Sequence, residues 1–392
     1  MNRRNFLKTS FLGLAAGIGT PGFLTRTAQA AIGKGKTLVV IQLSGGNDAL
    51  NTLVPYTNGA YYAARPSIAI GKKEVLTLSS DVGLNPAMKP FMNLWNNGEL
   101  ALVQGVGYPN PNRSHFESMA IWHTADPAAR ETDGWIGKIA EKYGDPFCAT
   151  NFGNTTPLAL RGSDMILPSI GSIDKFQLKM NPEMKASTDI LLGNPLPGRA
   201  EVLRKATNQM LEDMKAVQKG IGKYKPGAAY PEDQHGFVNS LRDISRMIAA
   251  DVGPRVFYTA LGGFDTHAGQ MEDQPALLEL LSSTLAAFRA DLKAQGREDD
   301  VIVIGFSEFG RRLAENASAG TDHGKAGLMF AMGKNVSGGL YGEYPDLEKL
   351  DDGDPRFTTD FRQVYATALD NWLNIPSKDI LGSWFNAIPF LK

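Results

Sequence analysis

Cysteine occurs once in the 392-residue chain, as Cys148, so an intramolecular disulfide is excluded even in an oxidising compartment. Charge of one sign is lacking too. Forty basic residues against 41 acidic ones give a formal net charge of −1, and no long basic tract breaks the balance. That argues against nucleic acid or an anionic membrane surface as a partner. The apolar stretch from Phe11 to Ile18 is too short to cross a bilayer as a helix, and no later stretch is long and apolar enough to do so. The fingerprint G-x-G-x-x-G is missing, which removes the usual dinucleotide reading of Gly45-Gly46. Internal repeats and low-complexity segments are absent as well.

What is there begins with the N-terminus. Asn2-Arg3-Arg4-Asn5-Phe6-Leu7-Lys8 reads as a twin-arginine export signal, followed by the apolar stretch and by Ala28-Gln29-Ala30 as a small-residue cleavage site. Residues 1–30 are therefore expected to be removed. The mature protein, 31–392, is expected to be periplasmic or exported, with the twin-arginine export machinery as its first partner. That route carries folded proteins, often with a metal or cofactor already loaded.

A chain of this length can bury a large core. Apolar runs predict strands over Thr37 to Leu43, Leu100 to Gln104, Arg255 to Leu261, Val301 to Ile304 and Leu328 to Met332. Helical patterns fall over Ser114 to His123, Arg199 to Lys219, Glu232 to Ala250, Gln274 to Lys293 and Asp360 to Leu373. This alternation predicts an α/β fold: a three-layer sandwich with a mostly parallel central sheet and helices on both faces. Residues 145–230, rich first in Gly, Pro, Asn and Thr and then in long polar helix, read as an insertion or cap on that domain.

The chemistry gathers where strands end. Asp48 follows the first strand, Asp265 and His267 follow the third, and Glu308 then Asp322 and His323 follow the Val301 strand. Ligands of open α/β sheets bind beyond the carboxyl ends of the strands. If the sheet brings these ends together, Asp48, Asp265, His267, Glu308, Asp322 and His323 form a ligand set for a divalent metal ion such as zinc, manganese, calcium or magnesium. Each one singly also suits a turn or a helix cap. Ser114, at a predicted helix start, reads either as a cap or as a nucleophile beside a metal. His115, its neighbour, is the better catalytic histidine of the pair His115 and His123. Arg113, Arg311 and Lys325 are candidates to bind substrate oxygens.

Two metal-free patterns compete. Gly305-Phe306-Ser307-Glu308-Phe309-Gly310 resembles a nucleophile elbow, but its second glycine falls one residue late for G-x-S-x-G. Gly45-Gly46-Asn47-Asp48 resembles the G-x-N-D block of the SGNH hydrolases, without the G-D-S block that should precede it.

The segments LVVIQLSGGNDALNTLVPY, LALVQGVGYPNPNRSHFESMAIWHT, GGFDTHAGQ, FSEFGRRLAENASAGTDHGKAG and DFRQVYATALDNWL together resemble the bacterial twin-arginine-exported family known as domain of unknown function 1501. That family is similar to the alkaline phosphatase and sulfatase superfamily. The resemblance implies an alkaline phosphatase-like fold and metal-dependent hydrolysis of phosphate or sulfate esters. By position it implies Asp48, Asp265, His267 and His323 as metal ligands, Ser114 as nucleophile, and Glu308 where an Asp-His pair usually serves a second metal. Phe309 stands in place of that His, and Asn85 where a further His is expected.

The expected activity is thus metal-dependent hydrolysis of small or polymer-linked anionic esters, with Ser114 attacking and His115 as acid or base. A non-enzymatic periplasmic binding or assembly protein on a degenerate hydrolase fold is the first alternative. A metal-free serine esterase is the second.

Overall fold

A computed structural model describes residues 35–392 apart from 129, 146–147, 174–188, 191, 196, 198–200, 202–203, 205–220, 233–234 and 252–253. The expected signal segment, and nearly all of the helix expected over Arg199 to Lys219, lie outside the described residues.

Among the described residues nine strands build the central sheet: β1 Thr37–Leu43, β2 Leu100–Gly107, β3 Ala149–Phe152, β4 Ser169–Ile170, β5 Val256–Leu261, β6 Val301–Ser307, β7 Gly327–Met332, β8 Gly339–Tyr341 and β9 Thr359–Asp360. Their order is β8-β2-β7-β6-β1-β5-β3-β4, with β9 beside β2. Only β7 runs antiparallel to its neighbours, β2 and β6; the other pairings are parallel. The expected three-layer, mostly parallel sheet is what forms. The sheet also reaches into residues 145–230, since β3 pairs with β5 and β4 with β3.

Both sheet faces are covered, which is why the strands read as continuous apolar runs rather than alternating ones. In β1, Leu38 and Val40 join one core and Val39 and Ile41 the other, all fully buried. The first core packs against Trp122 of helix α1 (His115–Thr124), Trp135 of α2 (Trp135–Tyr143), and Phe361 and Tyr365 of α5 (Phe361–Ala366). The second packs against Leu241 of α3 (Phe237–Ala249) and Leu278, Leu285 and Phe288 of α4 (Gln270–Ala294). Each such side chain contributes about 1.5–3 kcal/mol of transfer free energy on full burial. The helix expected over Asp360 to Leu373 forms as α5 continued by a π-helical segment, Thr367–Leu373.

Because β1, β2, β5 and β6 are mutually parallel, their carboxyl ends share one edge of the sheet. Antiparallel β7 starts at that edge, so the segment just before it is delivered to the same place. This topology brings residues 44–48, 108–115, 262–267, 307–311 and 321–325 together.

Candidate metal centre

Gly45 and Gly46, at the end of β1, have φ of 120° and 74°, in the left-handed region that favours glycine. A Cβ on Gly45 would stand 2.3 Å from the backbone nitrogen of Asp265, and one on Gly46 2.2 Å from the Phe309 ring. The β1 turn is therefore pressed directly against the loop after β5 and the loop after β6. Ser307, the last residue of β6, ties the same turn down: its hydroxyl donates to the Leu43 carbonyl at 2.6 Å and accepts from Asn47 N at 2.8 Å. Ser307 is buried and committed, which leaves no free hydroxyl for a nucleophile elbow.

Around Asp265 three histidines converge. His323 Nε2 lies 3.1 Å and His267 Nε2 3.2 Å from Asp265 Oδ1, and the two Nε2 atoms lie 2.9 Å apart. His115 Nε2 lies 3.3 Å from Asp265 Oδ2, and it is buried with no hydrogen-bond partner. Among the described residues, His115, Asp265 and His323 are the His, Cys, Asp or Glu group whose ligand atoms all fall within 4.8 Å of one another.

The outer nitrogens of the three rings are all engaged. His115 Nδ1 donates to Glu308 Oε1 at 2.8 Å, His267 Nδ1 to Asp322 Oδ1 at 3.1 Å, and His323 Nδ1 to the Arg113 carbonyl at 2.7 Å. A carbonyl can only accept, so the His323 proton sits on Nδ1 and its Nε2 presents a bare lone pair. The carboxylates on the other two rings favour the same tautomer. The Nε2 atoms of His267 and His323 thus crowd Asp265 Oδ1 while His115 Nε2 faces Oδ2, an arrangement that a cation lying among them would relieve. A metal-ligating His commonly donates its other ring N–H to a carboxylate or a carbonyl. The donor set, three imidazoles and one carboxylate, suits zinc, and also manganese and other borderline divalent ions.

Asp265 is kept ionised. Burial pushes its carboxyl up, but the hydrogen bond from Arg311 leads the opposing effects, which hold it down to about 2. The His115 imidazole is shifted up, chiefly by its bond to Glu308, whereas burial leads the downward shift of His323. Asp322 is shifted down, first by its bond from Asn316 and then by His267. Phe309, in the position where a His was expected, packs its ring 5.0 Å from that of His115 and 4.6 Å from that of His323. It acts as an apolar wall for both rings.

The structure places several residues singled out in the sequence away from the converging atoms. Asp48 is not among the converging atoms. It is buried, its carboxylate is paired with the fully buried Arg65 through both oxygens, and it also accepts from Gln270 and from Leu50 N. Glu308 and Asp322 stand behind His115 and His267 as the carboxylates that orient them, not among the inward-facing atoms. Arg311 cannot reach substrate: it is fully buried and donates to the carbonyls of Gly45, Gly46, Phe264 and Thr321 as well as to Asp265 Oδ1. Arg113 is held by Asp352 and Asp354, and Lys325 by Asp351 at 2.7 Å. Asn85 caps the short turn Pro86–Met88 and donates to the Asn51 carbonyl at 2.8 Å.

Ser114 is exposed at the N-terminus of α1, and its hydroxyl makes no capping hydrogen bond. His115 joins the centre, while His123, two turns further along α1, is buried against Gln42 and Tyr258. Arg65 and the acids Asp352 and Asp354 were not anticipated. Nothing in the sequence marks Arg65 as the partner of Asp48, although the run Asp351-Asp352-Gly353-Asp354 was a visible concentration of acid.

None of the curated proteins matches the sequence. The fold is similar to several solved structures at low identity. A lipoteichoic acid synthase from Listeria monocytogenes is 10% identical at a TM-score of 0.38, over 94% of this chain and 81% of that one. A sulfatase from Pseudoalteromonas sp. is 10% identical at 0.39, over 99% and 75%. The C-terminal periplasmic domain of EptC from Escherichia coli, solved in complex with Zn, is 8% identical at 0.34, over 78% and 76%. Residues 207–377, which carry Asp265, His267, Glu308, Asp322 and His323, match the family described as "Protein of unknown function (DUF1501)", the family that the sequence motifs resemble.

Proposed function

We propose that the protein is an exported, metal-dependent hydrolase of phosphate or sulfate esters, with its metal held by His115, Asp265, His267 and His323. One observation carries this reading: three Nε2 atoms converge on the Asp265 carboxylate while each Nδ1 is spent on an outer acceptor. A divalent ion bound there would act as a Lewis acid on the ester oxygens and would depress the pKa of a nucleophile. Glu308, Asp322 and the Arg113 carbonyl hold the ring tautomers that this requires. Ser114 remains the candidate nucleophile. Its hydroxyl is uncommitted, and it directly precedes His115 in the chain. In the net reaction the P–O or S–O bond of the ester breaks, and water supplies the oxygen of the acid product and the proton of the alcohol.

A second reading, a binding or assembly protein on the same fold, draws on a different observation. Each cation expected to neutralise substrate is already engaged by acids or carbonyls. The experiment that separates them is metal analysis of the purified mature protein, followed by assay of aryl phosphate and aryl sulfate esters with and without chelator. Turnover that is lost with chelator, restored by metal and abolished in Ser114→Ala supports the hydrolase. A metal-loaded protein that turns over none of these esters favours binding without chemistry.

A further inference from the structure

Beside the centre lies a cavity of about 480 Å3, within the range of roughly 300–1,000 Å3 usual for small-molecule sites. Its lining includes His115 and Glu308, so it is continuous with the metal centre rather than a separate hollow. Away from them the wall is apolar: Phe116, Met119 and Ala120 from one face of α1, and Leu158 opposite. Phe116 is 88% exposed, an unusual position for a large aromatic ring one residue from a candidate ligand. Among the described residues, no Lys or Arg lines it.

The polar groups at the base satisfy one another. Gln42 Oε1 accepts from the Tyr258 hydroxyl and lies 3.0 Å from His123 Nε2, while the Gln42 amide donates to Ser44. Burial depresses the His123 imidazole to about 4, so this base is uncharged near neutral pH. A pocket whose wall away from Glu308 is largely apolar, opening onto a centre that would hold a metal ion, has two ends with different demands. The charged end of a ligand belongs at the metal, and an apolar group belongs in the pocket.

We propose that this pocket binds the alcohol portion of the substrate and selects esters of aryl or similarly bulky apolar alcohols, with Phe116, Met119 and Leu158 determining that specificity. The proposal rests on the hydrolase reading and specifies its substrate class. The apolar wall of this pocket gains from each carbon that it takes out of water and offers little to a sugar-like or charged alcohol.

The test compares phenylphosphonate with methylphosphonate, two non-hydrolysable anions, by calorimetric titration of the full mature protein loaded with the metal it carries on purification. Phenylphosphonate is expected to bind about tenfold more tightly or better. In Phe116→Ser and in Leu158→Glu that preference is expected to fall towards unity. Phe116 is exposed, so its replacement should not disturb the core, and metal content and thermal unfolding verify that each variant is folded. Equal affinity of the two phosphonates in the wild type, or a preference that survives both substitutions, overturns the pocket assignment and leaves the hydrolase reading standing. Failure of both phosphonates to bind a metal-loaded protein overturns the hydrolase reading itself, and this proposal with it.

Discussion

His267 Nε2 and His323 Nε2 stand 2.9 Å apart although each ring gives its Nδ1 proton to a different acceptor, Asp322 Oδ1 for one and the Arg113 carbonyl for the other. Two bare imidazole nitrogens at that separation repel, and Asp265 Oδ1, 3.1 and 3.2 Å from them, adds a negative charge. A cation is the simplest species that turns this repulsion into binding. His323→Ala and His267→Ala are therefore expected to purify with metal content reduced well below that of the wild type, as measured by mass spectrometry of the metal. Chelator should lower the wild-type melting temperature and leave the variants nearly unmoved, since a ligand bound to the native state stabilises it.

The carboxylates behind the rings make a separate prediction. Glu308→Gln and Asp322→Asn keep the shape and remove the charge that orients His115 and His267. Loss of such partners typically costs about 10–100-fold in metal affinity. Competition titration against a chelating dye should find losses in that range while the unfolding midpoint of the metal-free protein changes far less. Unchanged affinity in both variants would remove these two acids from the metal centre.

Asp48 and Arg65 predict the opposite pattern. Both side chains are fully buried and paired with each other, so Asp48→Ala strands a guanidinium in the core. Breaking a buried pair by removing one partner costs about 3–5 kcal/mol. Urea unfolding of the metal-free protein should show a loss of that order. Metal affinity of the remaining folded protein should hardly shift, which distinguishes a structural Asp48 from the ligand that the sequence suggests.

The pH dependence of stability has a source at Asp291, in α4. Burial pushes its carboxyl up, but hydrogen bonds from Tyr224, Gly227 N, Ser245 and Gln295 prevail and place it below its ordinary value. A depressed folded-state pKa means that the ionised form is favoured by folding. The contribution is therefore complete above the unfolded-state value of about 3.9 and is lost as pH falls through the lower folded value. Wild type should lose stability on acidification through that window, and Asp291→Asn, less stable near neutrality, should show a shallower slope there. Parallel slopes from about pH 5 to pH 2 would exclude Asp291 as a contributor to acid unfolding.

Much of the fold could be read from residues alone, because both faces of the sheet are buried and each strand announces itself as an unbroken apolar run. β1, β2, β5, β6 and β7 lie within a few residues of the expected runs. β3 and β4 were missed because two- and four-residue strands carry too short a pattern to stand out from a segment rich in Gly, Pro and Asn. The sequence drew attention to strand ends that the topology gathers at one edge, and His115, Asp265, His267 and His323 all stand there. Residue type could not say which acids face inward. Asp48, Asp265, Glu308 and Asp322 look alike as letters, yet one pairs with Arg65, one lies among the histidines, and two orient the rings from behind.

By itself, then, the sequence determined the layered α/β architecture and the edge of the sheet where acids and histidines collect, through hydrophobic periodicity and the placement of turns. The division of labour within that edge was decided only by tertiary structure. Antiparallel β7 returns His323 to the loop after β5, and Gly45 and Gly46 let that loop press against the β1 turn. Buried Arg311 and Arg65 then choose between carboxylates by proximity. Those choices depend on side chains far apart in the chain, and no local pattern encodes which of them will meet.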